Sequence, residues 1–204
     1  MRPMIRHAVV ALAIAGASLS IGLADAQKRQ RMNPVIELLE QRKPVFGVYW
    51  PSNPQGHRGA PPPTDVAPKP PAELARQALA YRAADLLFNG SMEGGVDRAI
   101  GPVTDFVKAT ADAGALTRTP FPRFSHPLIV KTPKIAPDTA TAVENIGREL
   151  KLGVSGIMFV EVESADEVRA GLSAMRFKSN GGTRPDDVGM APSYWGINEQ
   201  DYKR

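Results

Sequence analysis

The chain has 204 residues, a formal net charge of +4 and no cysteine. The length predicts one domain, and the missing thiols exclude disulfides, cysteine nucleophiles, zinc fingers and iron–sulfur ligation. The basic excess is small and scattered, which argues against a nucleic-acid surface.

The first segment has the form of an address. Arg2 and Arg6 precede an uncharged apolar run, Ala8 to Leu23, and Ala24-Asp25-Ala26 gives a small-x-small pattern ahead of Gln27. This predicts a signal peptide over residues 1–26 and a mature domain over 27–204, exported to the periplasm or secreted. The run is short for a bilayer span, so no membrane association is expected after cleavage. An uncleaved anchor and an organelle presequence are the alternatives. With His7 in that segment, only His57 and His126 remain, too few for a three-histidine metal site. Any metal would then be held mainly by carboxylates, which suits Mg²⁺ or Mn²⁺.

The mature part alternates strand and helix. Pro44 to Trp50 predicts a first strand. Residues 51–71 hold eight of the 19 prolines and predict an extended loop insertion. Ala72 to Arg82 predicts a helix, Ala84 to Phe88 a second strand, and Asp97 to Ala113 a helix that Gly114 stops. Ala115 to Thr119 (ALTRT) is the predicted third strand. A helix over Asp138 to Leu152 leads to a fourth strand, Val154 to Val162, whose continuous apolar centre fits a strand covered on both faces. Ser164 and Glu167 have capping-box spacing for a last helix. Residues 177–204 are punctuated by Gly and Pro and predict mainly loop. Such alternation implies an α/β fold with a parallel sheet, either doubly wound or the first part of a (β/α)₈ TIM barrel.

In parallel sheets chemistry collects at the strand carboxyl ends. Arg118, a lone charge in the predicted third strand, could grip a carboxylate or phosphate in a bidentate fork, or simply pair with a neighbouring Glu. Glu93, in the turn after the second strand, could act as a base or orient a metal-bound water, or could be a surface carboxylate at a helix start. Trp50 stands at the end of the first strand. Glu161 and Glu163 could form a carboxylate pair, though Glu163 also simply precedes the Ser164 cap. Arg184, in Gly181-Gly182-Thr183-Arg184-Pro185, could join a backbone cradle for an anion. No Walker loop, GxGxxG or Ser-His-Asp order is present.

Five stretches taken together resemble the HpcH/HpaI aldolase (aldolase/citrate lyase) family. They are NPVIELLEQRKPVFGVYW from Asn33, ADLLFNGSMEGGVD from Ala84, LTRTP from Leu116, GVSGIMFVEVESADEVRAGLSAMRF from Gly153, and GGTRPDDVGMAPSYWG from Gly181. The resemblance implies a partial (β/α)₈ TIM barrel of about four βα units, an N-terminal portion apparently truncated within residues 27–204. It implies a divalent-metal-dependent carbon–carbon lyase that cleaves 4-hydroxy-2-oxo acids to pyruvate or a related 2-oxo acid, in a homo-oligomer. Arg118 would hold the carboxylate and carbonyl end of the substrate, with Trp50 and Arg184 beside it, and Glu93 would serve acid–base work. In the family's turn pattern Asp-x-Glu-His, Ser91-Met92-Glu93-Gly94 keeps the Glu alone. The metal-binding Glu and Asp, for Mg²⁺ or Mn²⁺, are expected beyond Arg204. The alternative is a catalytically inactive exported binding or interaction protein derived from that family.

Overall fold

The computed structural model describes residues 31–53 and 65–204. The predicted signal peptide and residues 54–64 of the proline-rich stretch lie outside them.

Asn33 opens the first helix, α1 (Pro34–Glu40), by accepting the Val35 N–H at 3.0 Å, with Pro34 in the first turn. Strand β1 (Gly47–Tyr49) follows. Asn53 then bonds the Lys69 backbone on both sides, accepting its N–H at 2.6 Å and donating to its carbonyl at 2.9 Å. The two ends of the proline-rich stretch are thereby pinned together. Pro71 starts α2 (Pro71–Leu79), where its fixed φ and missing donor cost nothing.

Strand β2 (Leu86–Asn89) passes through a 3₁₀ turn (Ser91–Gly94) into α3 (Val96–Asp112). Two short antiparallel strands come next, β3 (Leu116–Thr117) and β4 (Arg123–Phe124). Strand β5 (Leu128–Lys131), helix α4 (Thr139–Lys151), strand β6 (Gly156–Met158) and helix α5 (Ala165–Met175) complete the alternation. Asp138 caps α4, and Ser164 with Glu167 forms the expected reciprocal box on α5.

The main sheet is parallel throughout, in the order β1-β2-β5-β6, so its strands lie side by side in chain order. The expected parallel α/β sheet of four strands is present. The third strand is not where the sequence put it. ALTRT turns into the antiparallel β3–β4 pair because Pro120 and Pro122 follow it and cannot continue a ladder. The slot between β2 and β6 goes to Leu128-Ile129-Val130-Lys131, an apolar run ending in a cation.

Register fixes what each face carries. Leu87, Leu128 and Val130 share one face, and all are buried in the core with Leu74 and Ala78 of α2, Val103 and Phe106 of α3, and Ile146 and Leu150 of α4. On the opposite face, Tyr49 is 69% and Met158 46% exposed, with Phe88 and Ile129 half-buried. The helices therefore cover one face only, and the expectation that the fourth strand is covered on both faces is not met. Strand β6 is an edge strand, and Val168 and Leu172 of α5 face solvent while Gly171 and Ala174 pack inward.

Residues 177–204 are more ordered than predicted. They hold a 3₁₀ turn (Lys178–Asn180), α6 (Ala191–Trp195) and α7 (Glu199–Lys203), tied down by Trp195 Nε1 donating to the Gly153 carbonyl and Tyr202 Oη to that of Leu150.

Candidate functional site

The carboxyl edge of the sheet is where the loops after β2, β5 and β6 meet. Asn89 ends β2, and its buried Oδ1 accepts both the Ser91 N–H (2.9 Å) and the Ser91 hydroxyl (2.5 Å). That Asx turn starts the 3₁₀ segment, buries Met92 completely and leaves Glu93 outward. The Glu93 carboxylate meets Lys131 Nζ at 2.6 Å, both side chains being about a third exposed. Lys131 is the last residue of β5, so the carboxylate comes from the turn after β2 and the cation from the end of the neighbouring strand.

The row of charge continues across β6. Lys134 Nζ lies 2.6 Å from Glu161 Oε2. The Lys134 hydrogen bond and charge, joined by the charge of Lys131, hold the Glu161 carboxyl below its ordinary range. In return Glu161, with Glu163 and Glu167 behind it, holds the Lys134 ammonium above its own. Glu161 sits at φ +48, a left-handed conformation that costs a non-glycine residue free energy of order 1 kcal/mol. The strand ends at Met158, so Glu161 and Glu163 are loop residues and do not share a strand face. Glu163 instead donates its backbone N–H to Glu167 as part of the α5 start.

Other expected site residues lie apart from this edge. Arg118 follows β3, and the β3–β4 pair joins the end of α3 to the start of β5, which places it at the amino edge of the sheet. The assignment of Arg118 to a parallel strand's carboxyl end is therefore corrected: the proline-interrupted ALTRT segment never enters that sheet. Trp50 does end β1, donating its backbone N–H to the Phe88 carbonyl, but its indole is 8% exposed and stacks on Phe106 of α3 at 3.9 Å. Arg184 is 2% exposed, its guanidinium 4.2 Å over the Phe177 ring and 5.5 Å from that of Tyr202. Its Nε and Nη2 have no partner, and it serves the packing of the C-terminal segment. Of the expected residues, Glu93 stands open at the carboxyl edge with a cation beside it.

Lys131 is the residue that sequence reasoning missed. Its signal was the apolar run Leu128-Ile129-Val130 just before it, masked by Pro127 on one side and Pro133 on the other. Among the described residues no group of three or more His, Cys, Asp or Glu side chains is placed to hold a metal ion. No helix among them is long and apolar enough to cross a membrane. No protein-family model matches the chain, and no curated protein is significantly similar to it.

Proposed function

We propose that the chain forms the first four βα units of a (β/α)₈ lyase, with its site at the carboxyl edge around Glu93 and Lys131. The substrate class is the 4-hydroxy-2-oxo acids, as the likeness to HpcH/HpaI aldolases implies. The observation that carries this reading is the Glu93–Lys131 pair, 2.6 Å apart, one from the turn after β2 and the other from the end of the adjoining parallel strand β5. Two further features support it. The strands follow chain order with their helices on one face, as a barrel wall requires, whereas a doubly wound sheet would carry helices on both. The uncovered face, with Tyr49, Phe88, Ile129 and Lys131, then corresponds to the inside of the wall.

The chemistry follows from adjacent opposite charges. The Lys131 ammonium holds the carboxylate and 2-oxo oxygen of the substrate. Glu93 takes the proton of the C4 hydroxyl as the C3–C4 bond breaks. The bonding pair moves into the C2 carbonyl, giving an aldehyde and a pyruvate enolate whose negative oxygen faces Lys131. Return of the proton to C3 gives pyruvate and regenerates the carboxylate. Lys131 thus takes the role that the resemblance gave to Arg118, as a point charge instead of a fork.

The test is pyruvate release from a panel of 4-hydroxy-2-oxo acids, with Mn²⁺ or Mg²⁺ supplied. The reading predicts turnover with at least one member and a loss of about 100-fold in kcat for Glu93→Gln. Absence of turnover across the panel with both metals would replace this reading with the exported binding protein.

A further inference from the structure

The amino edge of the sheet carries a cleft that the lyase reading does not use. It has a volume of about 440 Å³ and lies between the end of α3, strand β3 and helix α6, lined by Lys108, Asp112, Leu116, Arg118, Ser193 and Tyr194. The geometry points to a second binding site here, for a small carboxylate or phosphate that also bears an ammonium or hydroxyl donor.

Four observations carry it. First, Lys108 and Arg118 bring two cations to one cleft, and neither has an ion pair or hydrogen bond among the described residues. By contrast Lys131, Lys134, Arg148 and Lys151 are each within 2.6 Å of a carboxylate. Second, the backbone at Gly196 leaves space for the Arg118 guanidinium. The chain passes it at Gly196 so closely that a Cβ there would lie 2.8 Å from Arg118 Nη1 and 2.7 Å from Leu116 Cδ2. Gly196 is also at φ +66, where a side chain is strained in any case, so the glycine leaves room for the guanidinium. Third, the Tyr194 phenol has no stronger acceptor than the Met190 sulfur at 3.7 Å, and so is free to donate to a better one. Burial, with the Asp112 and Asp105 carboxylates nearby, pushes its pKa up and keeps that proton in place at neutral pH. Fourth, Asp112 stands in the same cleft without an ion pair. A bare anion would meet both attraction and repulsion there. A molecule with an anionic end and a donor end satisfies Arg118, Lys108 and Tyr194 with one and Asp112 with the other.

This site stands independently of the carboxyl-edge chemistry, since it shares no residue with it. The probes are acetate, serine and phosphoethanolamine, titrated into the ¹⁵N-labelled chain with the Tyr194 and Gly196 amides as reporters. Serine or phosphoethanolamine should bind saturably with Kd on the order of 1 mM, and acetate about tenfold more weakly. Whichever of the two binds identifies the anionic group as carboxylate or phosphate. Arg118→Gln should weaken binding at least about tenfold, Asp112→Asn should remove the margin over acetate, and Glu93→Gln should change neither. Lys108→Gln serves as the second variant if Arg118→Gln unfolds. Three results would overturn the site: no saturable shift with any probe at tens of millimolar, equal affinity for acetate and serine with phosphoethanolamine silent, or unchanged affinity in Arg118→Gln.

Discussion

Glu149 is a carboxyl buried at a cost to the fold. It lies on the inner side of α4 with no solvent exposure, facing the hydroxyl of Thr132, itself fully buried. Neither carboxyl oxygen and not the Thr132 Oγ1 achieves hydrogen-bonding geometry. Loss of hydration pushes the Glu149 pKa from an ordinary 4.5 up to about 8, against the smaller opposing pulls of Thr132 and Arg148. The folded state therefore keeps a proton that the unfolded chain releases. Its contribution to stability is intact below pH 4.5 and is lost as pH rises to about 8, at up to about 1.4 kcal/mol per pH unit. Glu149→Gln removes that dependence. Urea unfolding of the wild type should weaken by several kcal/mol between pH 5 and pH 8 relative to the variant. Parallel stability profiles for the two proteins would refute the buried neutral carboxyl.

Helix α5 shows how much local sequence determines. Ser164 accepts the Glu167 N–H at 3.2 Å and donates to its Oε1 at 2.9 Å, as a Ser-x-x-Glu spacing predicts. Ser164→Ala should destabilise the protein by about 1 kcal/mol, read as a lower unfolding midpoint with an unchanged slope. An unchanged midpoint would mean that packing of Gly171 and Ala174 alone sets the helix start. Helices α2 to α5 and three of the four sheet strands were legible because each has its own period or apolar run, whereas the short helices α1, α6 and α7 have too few residues to show one. Strand β5 was not, since four residues between prolines carry little periodicity and its place is set by hydrogen bonds to β2 and β6. The same limit hid Lys131. Its neighbour Glu93 was visible because the glycine-rich turn around it marks a strand end wherever the strand goes. Burial of Trp50 and Arg184 was equally hidden, because each meets aromatic partners distant in the chain, Phe106 for the first and Tyr202 for the second.

Across the described residues, the two edges of the parallel sheet have different chemistry. The carboxyl edge carries paired charges from the ends of neighbouring strands and the loops that follow them: Glu93 with Lys131, and Lys134 with Glu161. The amino edge carries unpaired cations in a cleft, Lys108 and Arg118. Helices on one face and half-exposed aromatic and aliphatic residues on the other give the sheet an inside and an outside. On this account a 2-oxo acid is worked on at the carboxyl edge, and Arg118 has no part in the reaction. The most direct measurement compares initial rates of pyruvate release for the wild type, Lys131→Gln and Arg118→Gln on the best 4-hydroxy-2-oxo acid. The account predicts a loss of about 100-fold in kcat/KM for Lys131→Gln and wild-type turnover for Arg118→Gln. The opposite pattern, with Arg118→Gln inactive and Lys131→Gln unaffected, would contradict it.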